Sequence, residues 1–397
     1  MQSFPKLVIL FLTFSSLSLF PDAKDAYSQV QTGADQTESY LPMLKGKKVG
    51  IVANQTSRIG NVHLVDSLLS LGVDVVRVYG PEHGFRGNND DGLAISDTID
   101  AKTGLPVISL YGKRRKPDSV DMTGIDLMIF DIQDVGVRFY TFISTLQYVM
   151  EACAENQIDL LVLDRPNPNG FYVDGPVLDT NYRSFVGMQP IPVVYGMTMA
   201  EYARMLNGEG WLKNGEKCKL QYVLCKKWDH RKFYELPVIP SPNLPNIEAV
   251  YLYPSLCFFE GTVMSVGRGT DFPFQIYGHP DYPQGQYSFT PVSIPGTATH
   301  PKYEGKLCNG VNLTHVPKGF LRNNRRVIMQ WAVDAYEEMG KKEDFFNNYF
   351  DKLAGTDKIR KEILAGRSAI VIQASWKKEV QAFKKIRKKY LLYRDFE

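Results

Sequence analysis

Short apolar segments recur through the first half of the chain, and they are rich in Val, Ile and Leu. They cover residues 47–54, 74–80, 106–112, 126–134 and 159–164. Segments with helical spacing lie between them, at 62–71 and 139–156. Continuously apolar strands that alternate with helices are typical of a parallel sheet covered on both faces. The pattern therefore predicts an α/β fold that begins with a Rossmann-like parallel sheet.

The second half has a different pattern. Residues 170–245 are rich in Pro and Gly with one predicted helix at 198–207, and the three prolines of residues 238–245 predict a rigid extended wall. Beyond about residue 285, strand-like pieces precede helical stretches, at 289–294, 310–314, 324–339, 343–354, 356–365 and 379–393. We therefore predict a Rossmann-like catalytic domain at 41–285 and a smaller α+β C-terminal auxiliary domain at 286–397.

The N-terminus has the pattern of a signal peptide. Lys6 precedes an apolar run at residues 7–20, and small residues at Ala26 and Ser28 suit a cleavage site. We predict a signal peptide at 1–28, cleaved near Ser28, and a flexible lead-in at 29–40. The mature protein is then expected in the periplasm or secreted. No later stretch is long enough for a transmembrane helix, so no stable membrane insertion is expected after signal removal.

Composition narrows the classes of partner and cofactor. Hydrophobic residues make up 44% and charged residues 22% of the 397 residues, which are ordinary globular values, and the net charge of +3 gives no reason to expect nucleic acid as a partner. The glycine fingerprint of a dinucleotide site is absent after the first strand. The five cysteines match no zinc pattern. We expect neither a cofactor nor a metal.

Polar side chains cluster where the predicted strands end. Glu82, His83 and Arg86 follow the second strand and lie between glycines. Residues at the end of the fourth strand and the start of the next helix add to this set: Asp131, Asp134, Arg138 and Tyr140. The carboxyl ends of parallel strands meet at one edge, where ligands bind. Carboxylates, arginines and aromatic rings without a nucleotide fingerprint indicate a sugar or polyol site.

Three functions remain open from the residues alone. A glycoside hydrolase could use Glu82 as the acid, with Asp131, Asp134 or Glu260 as the second carboxylate. A metal-dependent hydrolase could use His83 with the carboxylates of this cluster, although no H-E-x-x-H motif occurs. A non-catalytic sugar-binding protein would need the same polar cleft. A Ser-His-Asp hydrolase has little support, since the G-x-S-x-G elbow is absent.

Seven sequence blocks resemble the exo-β-N-acetylmuramidase family, a group of peptidoglycan glycoside hydrolases formerly classed as a domain of unknown function. They are GPEHGFRG (80–87), FDIQDVGVRFYTFISTL (130–146), LDRPNP (163–168), YGMTMAE (195–201), PSPNLP (240–245), FFEGT (258–262) and SVGRGT (265–270). The resemblance extends from about residue 41 to 394. It implies a Rossmann-like domain with a smaller C-terminal domain, and an active site in the cleft between them.

The resemblance also implies the reaction, which is the release of N-acetylmuramic acid from the non-reducing ends of peptidoglycan fragments. The glutamate of the GPEHG block, Glu82, is the implied catalytic residue. Two positions differ from the family pattern: Tyr195 stands where histidine is expected, and Val266 where glutamate is common.

The implied substrate suggests a role for each candidate residue. The lactyl carboxylate of N-acetylmuramic acid requires a cation, for which Arg86, Arg138 and Arg268 are the candidates. The proline-rich wall could close one end of an exo-acting pocket. We predict catalytic roles for Glu82 and Asp131. The predicted substrate-binding residues are His83, Arg86, Asp134, Arg138, Tyr140, Asn243, Glu260 and Arg268. The expected partners are peptidoglycan-derived disaccharides or glycan chains. The sequence leaves retaining, inverting and substrate-assisted mechanisms open.

Overall fold

The computed structural model of the chain describes residues 30–82, 84–87, 97–283 and 287–397. The predicted signal peptide at 1–28 and the predicted site residue His83 lie outside the described residues. The strands are β1 (Val49–Ala53), β2 (Arg58–Ile59), β3 (Val62–His63), β4 (Val75–Gly80), β5 (Thr98–Ile99), β6 (Pro106–Ser109), β7 (Leu127–Asp131), β8 (Asp159–Leu163), β9 (Asp174–Val177), β10 (Pro192–Val194), β11 (Leu220–Val223), β12 (Ile276–His279), β13 (Tyr287–Phe289) and β14 (Cys308–Asn312).

Helices cover the strands and form most of the C-terminal part. They are α1 (Thr37–Leu44), α2 (Leu64–Ser70), α3 (Ser119–Met122), α4 (Phe142–Glu155), α5 (Met199–Gly208), α6 (Ile247–Leu256), α7 (Lys318–Asn324), α8 (Gln330–Glu338), α9 (Asn348–Ala354), α10 (Lys358–Leu364), α11 (Ala369–Ser375) and α12 (Lys377–Arg387). Among the described residues, no helix combines the length and apolar character needed to cross a membrane.

The main sheet has seven strands in the order β11-β8-β7-β1-β4-β6-β5. All its neighbours pair in parallel except β5, which pairs antiparallel with β6 at one edge. The chain runs from β1 to β4 and β6 on one side and then crosses to β7, β8 and β11 on the other. The winding therefore reverses at β1, and the carboxyl ends of β1, β4 and β7 border the crevice where such sheets bind ligands.

Both faces of the main sheet are buried, as predicted. In β7, Met128 and Phe130 pack into the apolar cluster that contains α4 and α5. The alternating residues Leu127 and Ile129 pack into a second cluster with Tyr40 from α1 and residues of α2. This alternation places one layer of helices on each face. It confirms the predicted α/β fold with a parallel sheet.

The C-terminal part combines a small antiparallel sheet, β12-β14-β13, with helices α7–α12. Most of its buried apolar residues belong to the same cluster as the α4 face of the main sheet, which includes Val52 and Phe383, and a small separate cluster lies in its sheet. The smaller C-terminal α+β part is therefore confirmed, and one continuous core joins it to the sheet. The boundary near residue 285 stays a prediction.

Some elements differ from the sequence-based expectations. The helix expected at 324–339 begins only at Gln330, as α8, because Arg325 adopts a left-handed backbone (φ 48°) that ends the preceding helix α7. Helix α6 was not predicted from the sequence. It contains Pro254 in its last turn, and a proline inside a segment argues against a helix. The final helix ends at Arg387, and the following residues fold back instead of continuing to residue 393. There, the Tyr393 hydroxyl donates to Asp164 Oδ2 at 2.6 Å.

Candidate active site

Glu82 lies on a tight turn at the carboxyl end of β4. The amide of Gly84 donates to the carbonyl of Pro81 at 2.9 Å. A side chain at Gly80 would place its Cβ 2.9 Å from the main-chain nitrogen of Phe85, so only glycine fits where the chain turns back. The turn leaves Glu82 partly buried at the edge of the sheet.

Thr141 fixes the orientation of the Glu82 carboxyl group. Its hydroxyl donates to Glu82 Oε2 at 3.1 Å, from the residue that precedes α4. The loop after β4 and the start of α4 are 59 residues apart in sequence. Tyr140 was a predicted site residue and Thr141 was not, although threonine is a common capping residue at the start of a helix.

Tyr140 and Gln55 connect this region to the proline-rich wall. The Tyr140 hydroxyl donates to the carbonyl of Pro240 at 2.7 Å, and Gln55 Nε2 donates to the same oxygen at 3.1 Å. Asn243 lies further along the wall and is buried, and its Nδ2 donates to the carbonyl of Thr297 at 2.9 Å. The wall therefore lies beside the Glu82 turn, and hydrogen bonds from Tyr140 and Gln55 fix its position.

A row of aromatic rings leads from Tyr140 to a partly exposed ion pair. The ring centroids of Tyr140 and Tyr253 are 6.0 Å apart, and those of Tyr253 and Phe274 are 4.9 Å apart. The Arg268 guanidinium lies 5.0 Å from the Phe274 centroid, and its Nε donates to Glu260 Oε1 at 2.8 Å. Glu260 and Arg268 are each 22% exposed. This row of rings connects both predicted residues to Tyr140, which binds the proline-rich wall that lines the cleft beside Glu82.

Asp131 lies behind this cleft. It is fully buried at the end of β7, and Arg165 donates to both of its oxygens, at 2.5 and 2.9 Å. Burial raises the pKa of the Asp131 carboxyl, and the Arg165 guanidinium opposes that rise. Both oxygens face a protein cation rather than an open space. This placement does not match the predicted catalytic role and instead suits a brace between the ends of β7 and β8.

Asp134 is also buried, with an unusual set of partners. Its Oδ2 accepts from the amide of Gly136 at 2.5 Å and from the hydroxyl of Tyr195. Its Oδ1 is buried without a hydrogen-bond partner among the described residues. Burial raises the pKa of Asp134 to about 7, and the hydrogen bonds from Tyr195 and the Gly136 amide oppose that rise. Tyr195, at the position where the family pattern has histidine, therefore still supplies a hydrogen-bond donor.

Arg138 was predicted to contact the substrate carboxylate, but it lies in the protein interior. It is fully buried, and its Nη1 and Nη2 groups donate to four main-chain carbonyls at 2.7–2.8 Å, those of Pro176, Ile191, Leu353 and Ala354. Burial lowers the pKa of Arg138 to about 9. A substrate has no access to this side chain, so its role is to join the main sheet to α9.

Arg86 lies on the flank of the cleft and is already held by two carboxylates. Its Nη2 is 3.1 Å from Asp66 and 2.6 Å from Asp100, and its guanidinium lies 4.5 Å from the Phe85 ring centroid. The predicted site residues therefore fall into three groups. Glu82, Arg86, Glu260 and Arg268 are partly exposed, Tyr140 and Asn243 are buried next to the proline-rich wall, and Asp131, Asp134 and Arg138 are enclosed in the interior.

This arrangement offers one oriented carboxyl group, a hydroxyl donor, aromatic rings and an arginine. Such a set can protonate an oxygen and hold a polyol or a substrate carboxylate. Within the described ranges, no group of three or more His, Cys, Asp or Glu side chains is placed to hold a metal ion.

Comparisons with known proteins agree with the fold and identify relatives. The family model described as "Exo-beta-N-acetylmuramidase NamZ, N-terminal" matches residues 49–248, and the corresponding C-terminal model matches residues 251–393. A Bacillus subtilis (strain 168) protein named peptidoglycan beta-N-acetylmuramidase NamZ is 38% identical over 416 aligned positions. These cover 97% of this chain and 97% of the relative.

Two crystal structures of DUF1343 family proteins from Bacteroides fragilis NCTC 9343 resemble the chain throughout. The first has a TM-score of 0.87 at 49% identity, and the match covers 93% of this chain and 100% of the chain in that crystal structure. The second has a TM-score of 0.78 at 30% identity and covers 92% of this chain and 99% of its own. The matches confirm the family resemblance seen in the sequence blocks.

Proposed function

Because the chain belongs to the exo-β-N-acetylmuramidase family and is a glycoside hydrolase, we propose that it releases N-acetylmuramic acid from the non-reducing ends of peptidoglycan fragments, with Glu82 as the general acid. The observation that carries this proposal is the position of Glu82. It lies on a glycine-bounded turn at the sheet edge, oriented by the Thr141 hydroxyl and next to the wall that Tyr140 holds.

Glu82 suits an acid better than the other carboxylates for reasons of access. A general acid must come within hydrogen-bond distance of the leaving oxygen. Glu82 is partly exposed beside the cleft, whereas Asp131 and Asp134 are enclosed by protein. We assign to the two aspartates the task of ordering the loop after β7, from which the chain enters α4 at Thr141.

Arg268 is our choice for the partner of the lactyl carboxylate. Of the three arginines that the sequence suggested, Arg138 is enclosed and Arg86 is bound by two aspartates. Arg268 is partly exposed at the end of the aromatic row, and the buried rings of Tyr253 and Phe274 support its guanidinium from the protein side. Glu260 beside it would accept from sugar hydroxyls.

We also propose that the protein is exported, so that it meets peptidoglycan fragments outside the cytoplasm. The basis is the leader pattern at residues 1–28. Mass determination of the mature N-terminus tests this: a chain beginning near Gln29 is expected, and an intact Met1 in the mature protein from its native host would contradict export.

The activity itself is tested with a disaccharide that carries N-acetylmuramic acid at its non-reducing end. We expect the purified protein to release that sugar, identified by mass, and to leave the internal bonds of longer chains intact until the end sugar is removed. The assay is run with and without EDTA. Release of internal fragments would contradict exo action, and loss of activity that one divalent ion restores would favour the metal-dependent alternative.

A further inference from the structure

A polar cavity of about 280 Å³ opens on the flank of the candidate active site. Its walls come from the loop after β1, the hairpin β2-β3, the start of α2 and the segment after Glu82. Its lining side chains include Gln55, Arg58, Asn61, Asp66, Arg86 and Lys102. Of these six side chains, Arg86 alone belongs to the predicted site.

The charges around the cavity do not balance. Among the described residues, three cations and two carboxylates meet there. Arg86 bridges Asp66 and Asp100, and Lys102 Nζ lies 2.6 Å from Asp66. The Arg86 guanidinium lowers the pKa of Asp100 to about 2, so that carboxylate stays ionised. Arg58 is the remaining cation, and its only side-chain hydrogen bond among the described residues runs from Nε to the carbonyl of Gln55 at 3.1 Å.

The histidine in the cavity wall adds no charge. His63 Nδ1 accepts from the amide of Val65, and Nε2 donates to the carbonyl of Asn54 at 2.9 Å. Burial lowers the pKa of His63 to about 4, so the ring is neutral at neutral pH. Both ring nitrogens are engaged by main-chain groups. Among the side chains that the structure describes, one positive charge in the cavity therefore has no carboxylate beside it, that of the Arg58 guanidinium.

Gln55 separates the cavity from the Glu82 cleft. Its side chain lines the cavity and donates to the carbonyl of Pro240, which also accepts from Tyr140 beside Thr141. On its other side, a Cβ at Gly87 would lie 2.7 Å from Gln55 Cβ. One side chain thus forms a common wall, and the cavity is the next space along the surface from the general acid.

We propose that this cavity is an anion-binding subsite for the part of the substrate on the leaving-group side of the scissile bond. The inference rests on the proposed function. Peptidoglycan chains alternate N-acetylglucosamine with N-acetylmuramic acid, so a chain longer than a disaccharide carries another anionic group two sugars beyond the released residue. That group is the lactyl carboxylate, or a carboxylate of the peptide stem that replaces it.

The carboxylate would pair with the Arg58 guanidinium, and Asn61 would donate to it. A guanidinium is the side chain best suited to hold a carboxylate in a two-pronged contact. The same cavity would leave a disaccharide unaffected, because its leaving sugar is neutral. The structure therefore predicts a preference for longer chains.

The test compares kcat/KM for a disaccharide and for a stem-free tetrasaccharide, both ending in N-acetylmuramic acid, by measuring release of the first sugar. We expect the wild type to favour the tetrasaccharide by about tenfold, the size of one charge-assisted hydrogen bond. Arg58→Ala and Asn61→Asp should each reduce the ratio of the two kcat/KM values, tetrasaccharide over disaccharide, towards one. Arg58→Lys should keep part of the preference. Arg367→Ala, which removes an exposed arginine elsewhere, should leave the ratio as in the wild type.

Asn61 is exposed, so its substitution tests the charge of the cavity even where Arg58→Ala fails to fold. A tetrasaccharide with peptide stems distinguishes the two sources of carboxylate: a higher ratio with stems identifies the stem. A wild-type ratio of one on both tetrasaccharides, or a ratio that Asn61→Asp leaves unchanged, would overturn the subsite. Failure of the wild type to release sugar from the disaccharide would instead overturn the proposed function.

Discussion

The charged guanidinium of Arg138 is buried. Among the described residues, its hydrogen-bond acceptors are all main-chain carbonyls. Arg138→Ala would leave those carbonyls unpaired around a cavity, which costs roughly 2–4 kcal/mol of unfolding free energy. We expect a lower thermal midpoint and an unchanged preference for N-acetylmuramic acid over N-acetylglucosamine at the non-reducing end. Arg268→Ala should do the reverse and reduce that preference by about a hundredfold. A preference lost in Arg138→Ala at full stability would contradict this assignment.

The Asp134 carboxyl links stability to pH. Folding raises its pKa from 3.8 to about 7, so the folded state holds the proton more tightly than the unfolded chain. The contribution of this group to stability therefore falls as the pH rises from about 4 through 7. Asp134→Asn removes the titration but keeps an oxygen for Tyr195. We expect the thermal midpoint of the wild type to fall relative to that of Asp134→Asn across this pH range. Parallel curves would contradict a raised pKa.

Among the secondary-structure elements, the C-terminal tail after α12 stabilises the carboxyl ends of β8 and β11. The Tyr393 hydroxyl donates to the buried Asp164 and accepts from the amide of Cys225 at 2.8 Å. Tyr393→Phe removes both bonds, so we expect a loss of about 1–3 kcal/mol of unfolding free energy. Tyr222→Phe, on a partly exposed strand residue, is the matched control and should cost little. Equal midpoints for the two variants would show that the tail does not stabilise the sheet.

The secondary-structure elements also differ in how far the sequence could predict them. Buried parallel strands such as β1, β7 and β8 are continuously apolar, so their positions follow from the sequence alone. Strands β5 and β11 lie at the sheet edges, are short and are partly exposed, and they were missed. Side-chain direction was the other limit. The sequence placed Asp131 and Arg138 near the correct sheet edge, but only the packing shows that both are enclosed.

At the scale of the whole molecule, one apolar cluster runs through both family-matched parts. It joins residues of β1 and α4 to residues of α8 and α12. Neither part buries its share of this surface alone, so we expect a single cooperative unfolding transition in calorimetry, with equal calorimetric and van 't Hoff enthalpies. Two separate transitions would show that the parts fold independently and that Arg138 does not couple them.

The most direct test of the account is the turnover of Glu82→Gln on the disaccharide that ends in N-acetylmuramic acid, measured together with its thermal midpoint. Glutamine keeps the size of the side chain and can still accept from Thr141, but it cannot give a proton to the leaving oxygen. Glu216→Gln, an exposed substitution, is the matched control. We expect Glu82→Gln to have a thermal midpoint close to that of the wild type and a turnover at least about a hundredfold lower. The loss should be smaller on an aryl glycoside, whose leaving group needs little protonation. An unchanged turnover of the folded variant would contradict the assignment of Glu82 as the general acid.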